Sequence, residues 1–399
     1  MNLLVLSSRP PWPPAMADQM TVDRMLRFLR ARGHSVDLVS FVEDEAQERE
    51  LRAGLSSVCR EIEGVRLPRW QSYAATAATL PFARPMQAQY FRSAQMRRVV
   101  ERRVREGDYQ LVYTHLIRMA EYSRKLKLPK VIGFQISQAL NLERMLAHAT
   151  DPLRKAFYWI EASKVRPYEA KLCGDYDRVF LCGPADVEAI RRSAPAQNLV
   201  ICPHGQDVPA LERVRAAERE PGAIVVSGVM STYTNVDAVR WFAQEIFPRV
   251  QAELPEAAFW IVGRRPQRAV AELANAPGVV VTGEVPDVTD WLCRAQVGVA
   301  PLRIAAGMQN KLVQAMACEL PVVATSAANE GIRGTPGEHL WVRDDAVGIA
   351  RAVLELLRDS SERERVGRAA RRFVEAHWTW EAHFEGFEKV LREVVERGA

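Results

Sequence analysis

The sequence predicts an α/β protein built from two parallel, doubly wound sheets, and three observations carry that prediction. Short β-rich apolar runs alternate with stretches of helical period, the signature of βαβ units. The alternation runs its course twice, once in each half of the chain. Between the halves lies Pro203-His204-Gly205-Gln206-Asp207-Val208-Pro209, followed by a charged stretch to Pro221-Gly222, a turn-rich segment without an apolar face that reads as a linker. A length of 399 residues also exceeds what one ordinary core holds.

In the first half the strand candidates are residues 3–6, 36–41, 111–113, 130–134, 178–181 and 199–202; in the second they are 223–226, 258–262, 279–282, 297–300, 321–324 and 340–342. Right-handed crossovers make each half Rossmann-like, and open sheets of this kind bind ligands at the carboxyl ends of their strands, so the two domains are expected to face a common cleft. The expected domains are 1–204, joined by a C-terminal helix at about 378–399, and 205–377. Trp378, Trp380, Phe384, Phe387 and Val390 recur at helical spacing, which fits either a helix crossing back or a satellite of the second domain. A long helical stretch from about 138 to 173 carries Phe157, Tyr158, Trp159 and Tyr168, which core packing explains, with an acceptor platform as the alternative.

A chain 48% hydrophobic and 26% charged is neither disordered nor fibrous. No window holds the ~20 apolar residues of a membrane-spanning helix, and the opening run lacks the basic lead of a secretory signal, so a cytoplasmic protein is expected. Six cysteines form no CxxC pair, and the histidines His34, His148, His339, His377 and His383 show no ligand spacing; no metal or redox site and no cofactor are expected. Charge is unevenly divided. Residues 1–200 carry 31 Lys and Arg against 22 Asp and Glu, whereas 201–399 carry 23 against 27. Residues 96–105 form a basic helix with Arg97, Arg98, Arg102, Arg103 and Arg105. It reads either as a solvated face over a core stripe or as a contact for an anionic membrane; nucleic acid is not an expected partner.

The most informative segment is 300–317, APLRIAAGMQNKLVQAMA. A buried strand runs into a small-residue turn, and a helix opens near Met308. Unpaired backbone N–H groups and the macrodipole at such a start favour an anion. Lys311 in that first turn opposes the helix dipole, which an anion would relieve; a solvated surface lysine is the plain alternative.

This segment, together with residues 225–242 (VVSGVMSTYTNVDAVRWF), 259–266 (FWIVGRRP), 279–285 (VVVTGEV) and 299–303 (VAPLR), resembles the carboxyl domain of retaining GT-B glycosyltransferases, and is most similar to sugar transferases of bacterial exopolysaccharide clusters. The resemblance is specific over 223–345 and looser over 1–205, where the opening strand, the RPPWPP loop and PHGQD carry it. It implies a donor diphosphate approaching the backbone at Ser227 and Gly228. It assigns the diphosphate and sugar hydroxyls to Gly307, Met308, Gln309, Asn310 and Lys311, with Arg303 just upstream, and the ribose to Gln314. Gly263, Arg264, Glu284 and Val285 are implied around the nucleobase. His115, closing a first-half strand, is implied to touch the donor sugar, with a hydrogen-bonded structural histidine as the alternative, and with Lys311 it completes the catalytic candidates. His204 replaces the asparagine of the usual PNG turn and reads as structural.

The chain departs from the pattern where the paired glutamates fall on Ala306 and Gln314, where residues 15–19 lack the usual glycine, and at Thr21, which stands for an arginine. The expected activity is transfer of a sugar from a nucleotide-diphosphate donor to an acceptor hydroxyl or amine, retaining by resemblance. The acceptor is expected to be lipid-linked or a glycan, with the protein peripheral on the inner face of the membrane. A nucleotide-sugar 2-epimerase and a GT-B binding module without activity are the alternatives.

Overall fold

Two all-parallel sheets organise the computed structural model, which describes residues 1–68, 84–149, 151–304 and 308–398. The chain divides into two compact units, Met1–His204 with His383–Ala399, and Gly205–Ala382.

In the first unit the strands are β1 (Asn2–Ser7), β2 (Ser35–Val42), β3 (Glu61–Arg66), β4 (Leu111–His115), β5 (Lys130–Gln135), β6 (Arg178–Leu181) and β7 (Leu199–Ile201), ordered β3-β2-β1-β4-β5-β6-β7. Leu3 lies opposite both Val36 and Leu111, which sets β1 at the centre. Helices cover both faces there, so Leu3, Leu4, Val5 and Leu6 are all buried and the strand reads as one apolar run. Strand β3 escapes a reading based on apolar runs because it is an edge strand, EIEGVR, with only Ile62 and Val65 buried.

The final helix, Trp380–Gly398, packs into this unit: Phe384 meets Phe28 at 5.6 Å, and Phe387 meets Phe180 at 4.7 Å and Tyr113 at 5.6 Å. Its Glu388 is buried and bonded by Arg32, His34 and Arg392. Aromatic contact and a satisfied carboxylate, rather than helix spacing, decide where the helix docks.

The long helical stretch is a pair, Gln138–His148 and Pro152–Asp175. Asp151 caps the second helix by accepting from Leu153 N at 2.9 Å, and Pro152 occupies its first turn. The pair runs antiparallel, since Gln138 N donates to Glu169 and Arg166 to Glu143. Tyr168 is buried as core, but Phe157 and Trp159 are not: they are 42% and 65% exposed, which corrects the packing expected of them. Val165, Tyr168 and Leu172 lie within about 60° of one another on the second half of the helix and are buried, whereas residues 152–157, 159 and 160 of its first half are exposed.

The basic helix, Ala94–Glu106, buries Met96 and Val100, while Arg102 pairs with Glu63 and Arg103 with Glu61 and Glu63 of β3. It is a solvated face over a core stripe, with part of its charge already neutralised.

In the second unit β8 (Ala223–Ser227), β9 (Ala258–Val262), β10 (Val279–Gly283), β11 (Val297–Ala300), β12 (Val322–Ala324) and β13 (Trp341–Val342) are ordered β10-β9-β8-β11-β12-β13. Alternation along β8 sends Val225 to a core with Trp260 and Met316, and Ile224 and Val226 to another with Phe242 and Phe259.

Candidate functional site

At the carboxyl ends of β8, β9 and β10 lies a cavity of about 720 Å³ lined by Ser227, Gly228, Val229, Thr232, Thr234, Asn235, Gly263, Arg264, Glu284, Val285, Val288, Met308, Gln309, Asn310, Lys311 and Gln314. Parallel strands deliver their following loops to one edge, so residues far apart in sequence converge there.

Two glycines shape the floor. Gly263 has φ +151°, and a Cβ on it would lie 1.7 Å from the carbonyl oxygen of Gly228. Gly228 has φ +156° and would press a Cβ against the Asn235 amide at 2.8 Å. The β8 and β9 loops can therefore approach only as bare backbone, and Gly228 N donates to Val262 O at 3.0 Å to hold them together.

Two helices present their first turns to the cavity. One is Tyr233–Trp241, preceded by Thr232; the other is Asn310–Ala317, preceded by Gln309, two residues later than the start expected at Met308. Neither carries an acidic residue in its first turn, and neither has a side-chain cap. Both leave N–H groups and the positive dipole end directed at the same space.

Lys311 lies between them, half-buried, and its ammonium donates to Oδ1 of Asn235. Burial lowers its pKa to about 8. No salt bridge to Lys311 occurs among the described residues, so this cation is poorly hydrated and lacks a counter-charge, the condition under which an anion binds with least competition. Gln314, one turn further along the same helix, lines the cavity and is exposed.

Of the donor-side residues expected from sequence, Ser227, Gly228, Gly263, Arg264, Glu284, Val285, Met308, Gln309, Asn310, Lys311 and Gln314 converge on this cavity. Arg303 does not. Its guanidinium pairs with Asp237, which raises its pKa, and stacks over Trp241 at 5.4 Å, so it braces the helix Tyr233–Trp241 instead. Gly307 and Ala306 lie outside the described residues. Sequence reasoning missed Val229, Thr232, Thr234, Asn235 and Val288. The first four belong to a glycine-led polar run after a strand and before a helix, a recognisable anion-site signal; Val288 gives none.

His115 belongs to the first unit, at the end of β4. It is buried, its Nδ1 is 3.1 Å from the Tyr113 hydroxyl, and its Nε2 has no partner among the described residues. Burial, with Arg118 and His204 nearby, lowers its pKa to about 3, so the imidazole is neutral. Thr21 Oγ1 and His204 Nδ1 are 2.8 Å apart. Two departures from the family pattern thus meet each other in space.

Comparison with known proteins agrees with this architecture. Residues 221–359 match the family described as Glycosyl transferases group 1. Residues 221–359 thus resemble a group 1 glycosyl transferase domain, which makes up about a third of the chain. A GDP-mannose-dependent monoacylated alpha-(1-6)-phosphatidylinositol monomannoside mannosyltransferase of Corynebacterium glutamicum is 30% identical over 157 residues, which is 36% of this chain and 41% of that protein. An uncharacterised 44.6 kDa protein from the cps region of Klebsiella pneumoniae is 20% identical over 94% of this chain and 96% of its own. Among solved structures, sucrose-phosphate synthase from Thermosynechococcus elongatus aligns over the whole of both chains with a TM-score of 0.64 at 17% identity. HepE from Anabaena, solved with UDP, aligns over 98% of this chain and all of its own with a TM-score of 0.65 at 14% identity. These likenesses establish the two-domain GT-B fold.

Proposed function

We propose that the protein is a hexosyltransferase that uses a nucleotide-diphosphate sugar and passes the sugar to an acceptor hydroxyl or amine. The observation that carries this reading is Lys311, half-buried and without a salt bridge among the described residues, between two helix starts in the 720 Å³ cavity. Its chemistry matches a leaving diphosphate: charge that develops as the glycosidic bond breaks meets fixed N–H dipoles and an ammonium already in place. UDP in HepE and GDP-mannose in the Corynebacterium relative support a nucleotide donor.

Retention of configuration follows from the resemblance, with the departing diphosphate accepting the acceptor's proton on the same face. Gln314 is assigned to the ribose, and Gly263, Arg264, Glu284 and Val285 to the base. His115 is assigned to the transferred sugar as a neutral hydrogen-bonding partner, in keeping with burial that lowers its pKa to about 3. A lipid-linked or glycan acceptor in cell-surface polysaccharide synthesis, on the cytoplasmic side of a membrane, is supported by the phosphatidylinositol named for one relative and the cps region named for the other. No metal or cofactor takes part in this reading.

Calorimetric titration with UDP, GDP and ADP tests it first. Binding of one of them, with transfer from the matching nucleotide-sugar only when acceptor is added, is the expected result. Change at the sugar C2 without acceptor would make the protein an epimerase, and no diphosphate binding would leave a module without donor chemistry.

A further inference from the structure

The helix Pro152–Asp175 carries large apolar side chains in both halves, and only those of the second half are covered. Ala162, Val165, Tyr168, Leu172 and Cys173 are buried in the first unit's core. In the first half Leu153 is 81% exposed, Trp159 65%, Ile160 45% and Phe157 42%, and Met145 of the preceding helix adds a further 41%. Positions 153, 157 and 160 fall within about 60° of one another at 3.6 residues per turn and form one stripe, while Trp159 lies about 100° round the helix from Ile160. Single exposed apolar residues are ordinary, but five large ones together on one helix pair are not.

Basic side chains border the stripe. Arg154 and Lys155 follow Leu153 directly, and Arg144 adjoins Met145; all three are exposed. The acids nearby are engaged: Asp151 caps the helix and pairs with Arg154 at 3.7 Å, Glu143 pairs with Arg166, and Glu161 is buried. The half of the chain that contains this surface carries 31 Lys and Arg against 22 Asp and Glu.

We propose that this helix pair is a membrane-docking surface, with Leu153, Phe157, Trp159, Ile160 and Met145 entering the interface of a bilayer and Arg144, Arg154 and Lys155 meeting anionic headgroups. The residue types are those of membrane interfaces, aromatic and aliphatic side chains with cations beside them on an exposed helix end. A second copy of the chain fits less well, because a two-fold contact through the same patch would set like charges against each other. Among the described residues no helix is long and apolar enough to cross a membrane, so the surface lies on the bilayer and does not span it. The basic helix Ala94–Glu106 lacks this pattern, since its apolar residues Met96 and Val100 are buried. The proposal deepens the membrane-associated reading given above, but its test requires no turnover.

The experiment is co-sedimentation of the full chain with phosphatidylglycerol-containing vesicles, and with pure phosphatidylcholine vesicles as the uncharged control. Binding to the first at low salt, weakened as screening increases, is expected. The triple variant Leu153→Ser, Phe157→Ser, Trp159→Ser should lose at least tenfold in vesicle affinity while keeping the melting temperature and nucleotide binding of the parent, because all three side chains are exposed. Arg97→Gln, Arg98→Gln and Arg105→Gln together should change vesicle binding by less than threefold. Absence of binding at low salt, or binding that survives the triple variant, overturns the assignment. A dimer in light scattering that the triple variant dissolves, without vesicle binding, would name a second copy as the occupant instead. Vesicle binding without nucleotide binding would sink the transferase reading and leave this one standing.

Discussion

The ammonium of Lys311 and the side-chain carbonyl of Asn235 are hydrogen-bonded across 76 positions of sequence, tying the first turn of Asn310–Ala317 to the first turn of Tyr233–Trp241. Asn235 is itself held, since its amide donates to Val229 O at 3.0 Å. A neutral amide thus aims a cation without neutralising it, which leaves the charge available to a ligand.

Lys311→Ala is expected to weaken nucleoside diphosphate binding at least tenfold, since a charge-assisted hydrogen bond contributes roughly 1.5–3 kcal/mol. Asn235→Ala should weaken it less, by freeing the ammonium rather than removing it. Titration calorimetry on both variants checks the order, and an unchanged affinity for Lys311→Ala would remove that residue from the site.

The same lysine makes a stability prediction. Its pKa falls from 10.5 to about 8 on folding, so the native state binds this proton less tightly than the unfolded chain does. Its contribution is unfavourable below about pH 8, and stability should rise from this group as pH increases from 8 to 10.5. Lys311→Met should therefore raise the melting temperature at pH 7, by the equivalent of about 1–3 kcal/mol, with the gain shrinking toward pH 10. Calorimetric scans at the two pH values test the sign. A lower melting temperature at pH 7 would show that the ammonium is well solvated.

Gly263→Ala should be far more damaging than Gly283→Ala. A Cβ at 263 would lie 1.7 Å from the Gly228 carbonyl oxygen, and backbone has no way to yield without separating two strand ends. At 283 the φ is +68° but no atom lies within 4 Å, so only the left-handed conformation is penalised, by about 1–2 kcal/mol. Soluble yield and melting temperature compare the two; equal losses would refute the close approach.

Gln314→Glu should keep or raise donor affinity if the side chain meets ribose hydroxyls, because a carboxylate accepts a stronger bond than an amide. A well-folded variant that no longer binds the nucleotide would move Gln314 away from the ribose.

Glu388 should govern acid sensitivity of the first unit. Burial alone would raise its pKa, but bonds from Arg392, His34 and Arg32 outweigh burial and hold it at about 2. Its stabilisation is then present above about pH 4.5 and lost as pH falls toward 2. Glu388→Gln should cost roughly 3 kcal/mol at neutral pH and flatten the acid limb of the unfolding profile, followed by circular dichroism.

Sequence by itself determined the two parallel sheets, because strands buried on both faces must be continuously apolar, as LLVL at 3–6 and IVV at 224–226 are. It also marked the cavity's glycine-led turns and the helix start at Lys311, where local backbone chemistry is the signal. What it did not determine depends on neighbours distant in the chain. Glu61 and Glu63 make β3 polar, and only pairing with β2 makes it a strand. Arg303 adjoins the donor segment in sequence but is drawn to Asp237 and Trp241. Phe157 and Trp159 are apolar enough for a core, yet the core took only the second half of their helix. Hydrophobic pattern tells which residues benefit from burial; which face is covered, and which charge finds a partner, is decided only when the elements pack.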